Sequence, residues 1–162
     1  TMAAYIFEDV IKEIEQMIEK EELFLNRLDE ETISTRLNSQ NRSIKQIVGH
    51  MIDSASNNLH RVVHLHYGAN PLVFPNYATN GNNDRWIGIQ HFQEEDWQTL
   101  VQLWKYSNLH FVHVIKHVDA QKLNNKWIAG EGEEVSLQDM IRDYPRHLEL
   151  HMGEVHALHE LR

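Results

Sequence analysis

Three pairs of histidines in this sequence have the spacing H-x-x-x-H, which on a helix can hold one metal ion. Side chains four residues apart on an α-helix lie about 40° apart around its axis, so two imidazoles can reach the same point. The pairs are His60 with His64, His113 with His117, and His147 with His151. Because the chain contains twelve histidines and no cysteine, any metal must be bound through nitrogen or oxygen. Spacing alone does not choose among the three pairs.

The direction of each pair relative to the apolar side of its helix separates them. His147 and His151 lie at or beside the apolar stripe that includes Leu148 and Val155, so both should reach the interior or its mouth. The other two pairs fall on the far sides of their helices, where we expect solvent-exposed histidines. An alternative for the inward pair is a partly buried histidine bonded to a neighbouring carboxylate such as Glu154.

A third ligand has to come from another helix, because catalytic metal sites commonly have three protein ligands. The run GHMIDSASNNLHR places several polar side chains on one side of a helix, beside its apolar stripe. They are His50, Asp53, Ser54, Asn57 and Arg61. Periodicity by itself favours an ordinary solvated face here, and an exposed arginine at position 61. The choice between a ligand and a surface histidine at position 50 stays open on this pattern.

Four amphipathic segments would have to position these histidines. Apolar residues recur at steps of three and four over residues 5–28, 43–67, 94–118 and 136–160. Ser43 with Gln46, and Ser136 with Asp139, resemble helix-starting capping pairs. No segment shows convincing strand alternation, so we predict an all-α four-helix bundle. Pro145 lies inside the last segment, where a kink beside the histidines is expected.

The connection over residues 67–93 is long and rich in Asn, Gly and Pro. It could act as a lid, or as a crossover that lets the second and third helices run parallel. Tyr77 and Trp86 could lie over a site as parts of such a lid. Anchoring of the connection to the core is the expected role of both aromatic side chains.

Length and composition limit the class of protein. A chain of 162 residues with 41% hydrophobic residues predicts one domain over residues 1–162. A formal net charge of −9 argues against nucleic acid and anionic membrane surfaces as partners. No stretch is long and apolar enough to span a bilayer, and the first residues do not resemble an export signal. The absence of cysteine fits the cytoplasm, which is the expected location.

The segments SIKQIVGHMIDSASNNLHR and LQDMIRDYPRHLELHMGEV, in this order, resemble the DinB/YfiT-like family of four-helix-bundle metalloproteins. The resemblance implies that one histidine of the second helix, His50, and the pair His147 and His151 of the fourth bind a divalent metal. It also implies an up-down-down-up bundle. Three imidazoles suit zinc or nickel, and Asp53 or Asn57 could orient a ligand.

The function that the resemblance implies is catalysis by a metal-activated nucleophile acting on a small-molecule substrate. Relatives include enzymes that use low-molecular-weight thiols, so a thiol S-transferase is the first expectation and a metal-dependent hydrolase the second. Arg61 could bind a carboxylate of thiol or substrate. A protease with H-E-x-x-H is disfavoured because Leu148 follows His147. The chain could also be a non-catalytic, stress-linked binding or dimerisation protein, or a histidine-rich metal buffer. A homodimer is compatible with each of these functions.

Overall fold

The computed structural model describes residues 1–161, and within them it contains seven α-helices and three short strands. The helices are α1 (Met2–Ile6), α2 (Glu8–Leu25), α3 (Glu30–Thr35), α4 (Ile44–Tyr67), α5 (Asn82–Gln90), α6 (Trp97–His117) and α7 (Leu137–His159). The strands are β1 (Leu72–Val73), β2 (Lys126–Ile128) and β3 (Glu134–Ser136). None of these helices combines the length and the apolar content that crossing a membrane requires.

The four long helices α2, α4, α6 and α7 form a bundle around one apolar core. Each packs against two others: α4 and α2 both contact α6 and α7, so α4 and α2 occupy opposite corners. Fully buried side chains from all four helices fill the centre, because each helix has an apolar stripe wide enough to face two neighbours. They include Ile14, Met51, Trp104, Leu100, Leu137 and Val155. The predicted all-α four-helix bundle is confirmed.

Contacts at the helix ends show which ends of the four long helices lie together. Ser43, just before α4, bonds Gln93, just before α6, so these helices begin at the same end. Trp97 donates its indole proton to the carbonyl of Leu25, which puts the end of α2 there too. Arg36 bonds the carbonyl of Leu158, near the end of α7. The full up-down-down-up order stays a prediction.

Local signals set most of the helix starts. The capping box at Ser43 and Gln46 is formed in full, and the side chain of Ser136 accepts the amide proton of Asp139. The first segment, predicted at about 5–28, differs by three residues at each end: the helical region begins at Met2, is interrupted at Phe7 and ends at Leu25. The apolar periodicity does not reveal this break, because Phe7, where the helix is interrupted, is itself buried in the core.

The three strands were not predicted. β1 pairs in parallel with β2, and β2 pairs antiparallel with β3, with Trp127 opposite both Leu72 and Val135. Strands of two or three residues are too short to show alternation, so only the pairing of distant segments identifies them. This small sheet ties the connection after α4 to the segment before α7, and it forms one wall of the cleft described below.

The long connection between α4 and α6 is more ordered than its composition predicts. It contains β1, the helix α5 and a 3₁₀ turn at Phe92–Glu94, and both α5 and that turn pack against α4. In this way the connection covers a side of α4 that periodicity predicts to be solvated. Further along the chain, α7 runs through Pro145 without a break in the helix, and a kink there stays a prediction.

Gly49, which directly precedes His50, allows the connection to lie close against α4. A Cβ at this position would be 2.2 Å from the ring of Phe92. Gly49→Ala should therefore lower the free energy of unfolding by about 1–3 kcal/mol through overpacking. Gly153→Ala, in α7 with no atom near its Cβ position, should raise it by about 0.5–1 kcal/mol. Urea denaturation of both variants tests this, and equal effects would contradict it.

Candidate metal centre

His50 of α4 meets His147 and His151 of α7 where these two helices pack together. The ring centres of His147 and His151 are 4.4 Å apart, and His50 is 4.5 Å from His151 and 5.6 Å from His147. One ring nitrogen from each histidine lies within 4.8 Å of the other two. Among residues 1–161, these three form the one such cluster. The structure thus brings together the three predicted ligands.

Each histidine has its Nδ1 atom engaged by a neighbouring side chain. The Nδ1 of His50 is 2.9 Å from the hydroxyl of Tyr77, and that of His151 is 3.2 Å from a carboxylate oxygen of Glu154. The Nδ1 of His147 has a longer contact, 3.4 Å, with the hydroxyl of Ser54. Partners on one ring nitrogen orient the ring and direct the other nitrogen towards a metal. The Nε2 atoms are therefore the available ligand atoms.

The hydroxyl of Tyr77 can fix the required tautomer of His50. It lies 3.3 Å from the backbone carbonyl oxygen of His50, to which it can donate its own proton. It is then free to accept the Nδ1 proton of the imidazole, which leaves the lone pair on Nε2. Glu154 can act in the same way on His151, because a carboxylate only accepts hydrogen bonds when ionised.

Burial keeps two of the three imidazoles neutral. Desolvation, with smaller contributions from the other histidines, lowers the pKa of His50 to about 3. Desolvation also lowers the pKa of His147 to about 4, with His151 and Arg146 acting in the same direction. Neutral imidazole is the form that binds metal, so at neutral pH no proton has to be displaced from the Nε2 atoms of His50 and His147.

The spacing of the donors fits a divalent metal ion. The Nε2 atoms of His147 and His151 are 3.1 Å apart. Two nitrogens bound to one zinc at 2.0–2.1 Å with tetrahedral angles stand roughly 3.3 Å apart. Three nitrogen donors also match the commonest catalytic set, in which the remaining positions are left for water or substrate. The residues present therefore fit the metal that the sequence predicts.

A cleft of about 710 Å³ opens beside His147, one of the three histidines. His147, Ser54 and Tyr77 line its inner part, together with Arg61 and Trp127. A volume of this size is typical of sites for small molecules. Since His50 and His151 are only 3% and 6% exposed, a substrate must approach the centre from the side of His147, which is half-buried.

The sequence model of the DinB superfamily matches residues 13–155, which is most of the chain. The chain belongs to the DinB superfamily. The matched range contains α4, most of α7 and all three histidines, and it also contains the long connection and the small sheet.

Two solved structures share this DinB fold. YfiT from Bacillus subtilis, described as a probable metal-dependent hydrolase with an unusual four-helix bundle topology, has a TM-score of 0.81 at 14% identity, over 93% of this chain and 84% of YfiT. The mycothiol-dependent maleylpyruvate isomerase has a TM-score of 0.75 at 11% identity, over 92% of this chain but only 60% of the isomerase. At these identities the likeness shows the fold alone. No curated protein matches the sequence.

Of the other polar residues predicted on α4, Ser54 contacts His147, whereas Asp53, Asn57 and Arg61 are buried and do not bond the three histidines. Asp53 accepts a hydrogen bond from Gln90 of α5 at 2.7 Å, and Asn57 donates to the backbone carbonyl of Asp53. Arg61 is 6% exposed, so the expectation of an exposed arginine is wrong. The reason is that the connection and the small sheet cover this side of α4, which periodicity cannot show.

The remaining H-x-x-x-H pairs lie outside the site. His60, His113 and His117 are exposed, as predicted from their directions on the helices. His64 is half-buried, because the ring of Phe74 packs against it and the hydroxyl of Tyr67 contacts its Nδ1.

Sequence patterns did not identify Trp127, which lines the cleft, or Gln90, which bonds Asp53. Tyr77 has both of the roles considered for it, since it is buried and also contacts His50. Trp86 packs edge-on against Tyr77 and is 38% exposed, so it is not a core anchor. One sequence signal could have indicated the short strand β2: Trp127 lies between Lys126 and Ile128 in a segment that is otherwise mostly polar.

Proposed function

We propose that this chain is a divalent-metal-dependent enzyme that transfers a low-molecular-weight thiol to a small-molecule acceptor. The metal ligands are His50, His147 and His151, and zinc or nickel is the proposed ion. One observation carries the proposal: three histidines with occupied Nδ1 atoms bring one ring nitrogen each within 4.8 Å of the others, and His147 among them lines a cleft. A purely structural cluster would not need an adjoining cleft.

The residues of the chain have separate tasks in this proposal. When bound, the divalent ion lowers the pKa of a thiol or water, so that a nucleophilic anion is present near neutral pH. Tyr77 and Glu154 hold the imidazoles of His50 and His151 in orientation. The burial of these two histidines excludes bulk water from one side of the centre, and the half-buried His147 leaves the opposite side open to substrate.

A thiol is the proposed nucleophile because of a relative with the same fold. The mycothiol-dependent maleylpyruvate isomerase depends on such a thiol, and its fold covers 92% of this chain. The cleft has room for a nucleophile of that kind together with a small acceptor. The alternative is a metal-dependent hydrolase, with water as the nucleophile. It is favoured by the higher TM-score to YfiT, which is described as a probable metal-dependent hydrolase.

The proposal can be tested with cobalt-substituted protein prepared without an affinity tag. One cobalt ion should bind per chain, and titration with glutathione, cysteine or mycothiol should produce a saturable sulfur-to-cobalt absorption band. The same thiol should then be alkylated faster by a chromogenic electrophile than in the metal-free protein. Failure to bind one metal ion per chain would refute the proposal of a metal-dependent enzyme. Metal binding with no thiol band, but with hydrolysis of activated esters or amides, would favour the hydrolase.

A further inference from the structure

Arg61 is a buried cation in the inner wall of the cleft. Its guanidinium carbon lies 4.1 Å from the centre of the Trp127 ring and 5.4 Å from that of Phe74. Stacking on aromatic faces stabilises a cation but does not neutralise it. Burial lowers the pKa of Arg61 only to about 10, so the side chain is charged at neutral pH.

Within residues 1–161, Arg61 has no carboxylate partner. Its polar contact is a long one, 3.5 Å from Nη1 to the side-chain oxygen of Asn58, and its buried Nε has no acceptor. No carboxylate contributes to the shift in the pKa of Arg61, and the one acidic group that does is the hydroxyl of Tyr77. A buried charge without a counterion destabilises the folded protein. An anion that entered the cleft would compensate for the charge of Arg61 and would therefore bind favourably.

Trp127 provides a second unused donor in the same place. Its indole nitrogen is buried and, within the described chain, has no acceptor. Both Arg61 and Trp127 line the cleft that also contains His147. Unpaired buried donors are rare in folded proteins, and these two belong to side chains that stack on each other in the wall of the cleft, which indicates a missing acceptor.

We propose that Arg61 and Trp127 bind the carboxylate of the small molecule that reacts at the three-histidine centre. This inference rests on the proposed function, and it names the chemical class of the substrate: a carboxylic acid. A carboxylate matches the planar fork of a guanidinium, and it needs only one cation to balance its charge. The carboxylate belongs either to the thiol or to its acceptor.

Acidic residues at the outer part of the cleft favour a carboxylate over a phosphate as the bound ligand. Four exposed acids line this rim: Glu133, Glu134, Asp139 and Asp143. Two of them are paired with cations, Glu134 with Lys126 and Asp143 with Arg146, and exposure to solvent screens their charges. They would repel a phosphate dianion more than a carboxylate, because repulsion grows with the charge of the ligand.

The helix geometry also limits the length of the substrate. Ser54, which contacts His147, precedes Arg61 by seven residues on α4, a rise of about 10 Å. Helical side chains lean towards the N-terminus, so the guanidinium is directed back towards Ser54. The bound carboxylate therefore lies within about 10 Å of the histidine end of the cleft. A molecule with its reacting group several bonds away from the carboxylate fits this spacing.

The carboxylate site can be tested without any metal. In ¹⁵N-labelled, chelator-treated protein, the indole signal of Trp127, assigned with Trp127→Phe, should shift on titration with hexanoate. Hexanol, which has the same chain without the charge, should bind at least about tenfold more weakly, because a charge-assisted hydrogen bond is lost. Hexyl phosphate should bind more weakly than hexanoate. Equal binding of hexanoate and hexanol, or tighter binding of the phosphate, would overturn the proposal.

Variants of Arg61 provide the matched controls. Arg61→Met keeps an unbranched stem on Trp127 and removes the charge, so the preference for hexanoate over hexanol should disappear. Arg61→Lys keeps the charge without the fork and should retain part of that preference. Circular dichroism shows whether each variant is folded, and if Arg61→Met is not, the comparison of Arg61→Lys with the parent decides. A full hexanoate preference in a folded Arg61→Met protein would refute the assignment.

Cobalt-loaded protein connects this site to the metal centre. Mercaptohexanoate should produce the sulfur-to-cobalt band at a concentration about tenfold lower than mercaptohexanol, and Arg61→Met should abolish that difference. If hexanoate binds the metal-free protein while no thiol band appears, the carboxylate site stands and the thiol transferase fails. If both thiols give the band equally and hexanoate does not bind, the thiol reaction stands and the carboxylate site fails.

Discussion

Replacing His50 or His147 with alanine should weaken zinc binding about 10²–10³-fold, because a zinc-binding free energy of roughly 10–16 kcal/mol is shared among about four ligands. The parent protein, purified without a tag, should contain one metal ion per chain. Mass spectrometry of the metal content and competition with a chromogenic chelator measure both quantities. His113→Ala is the matched control, since His113 belongs to an exposed H-x-x-x-H pair on α6 and its loss should leave binding unchanged.

Tyr77→Phe should give an intermediate result in the same series. It removes the hydroxyl that contacts Nδ1 of His50 but leaves all three ligands in place. Loss of such an orienting partner typically weakens metal binding about 10–100-fold. The expected order of affinity is therefore parent and His113→Ala, then Tyr77→Phe, then His50→Ala and His147→Ala. One tightly bound ion in folded His50→Ala and His147→Ala proteins would show that the assigned ligands are wrong.

The sequence predicts the bundle well because its signals are local and repeated. Apolar periodicity over twenty or more residues, with the capping box at Ser43 and Gln46, identifies α4, and similar signals identify α6 and α7. The small sheet and α5 carry no comparable signal. β1 has two residues, and it exists because Leu72 and Val73 pair with Trp127 and Ile128, more than fifty positions away. Pairing at that distance is not visible in a local pattern.

The metal centre was partly predictable for the same reason. His151 faces the interior of the bundle and His147 faces the cleft, so the direction of these side chains on their helix identifies them as a pair. His50 lies outside the main apolar stripe of α4, where periodicity favours a solvated residue. It is buried because the connection after α4 folds back and places Tyr77 on its Nδ1. Resemblance to the DinB family provided what the pattern on one helix could not.

Asp53 is the clearest case of a polar residue that the connection buries. It is 2% exposed, Gln90 of α5 donates to its Oδ1, and its Oδ2 is buried without a partner in the described chain. Desolvation raises its pKa to about 7, although the bond from Gln90 acts in the opposite direction. In the unfolded chain the same carboxyl has an ordinary pKa near 4.

Asp53 should therefore destabilise the folded protein as the pH rises. Between pH 4 and pH 7 the unfolded chain releases this proton while the folded protein keeps it, so the free energy of unfolding falls. Above pH 7 the folded carboxyl also ionises, and the loss is complete at roughly 4 kcal/mol. The substitution Asp53→Asn removes the ionisable group. It also places an amide group at the buried position of Oδ2, where no partner is available, and this lowers the free energy of unfolding by about 1–3 kcal/mol at every pH.

The prediction for Asp53→Asn is a pH-dependent gain in stability. The difference in unfolding free energy, variant minus parent, should increase by roughly 4 kcal/mol from pH 4 to pH 8, with most of the change below pH 7. Urea denaturation of chelator-treated proteins at each pH measures it, and groups that titrate alike in both proteins cancel. Glu19→Gln, at an exposed carboxylate of α2 that forms no ion pair within the described residues, is the control and should show little change with pH. A difference that does not change with pH would contradict the prediction, because the pKa of Asp53 would then be the same in the folded and the unfolded protein. Asp53 would be ionised at pH 7 despite its burial, and a cation of the metal-free protein would have to compensate for its charge.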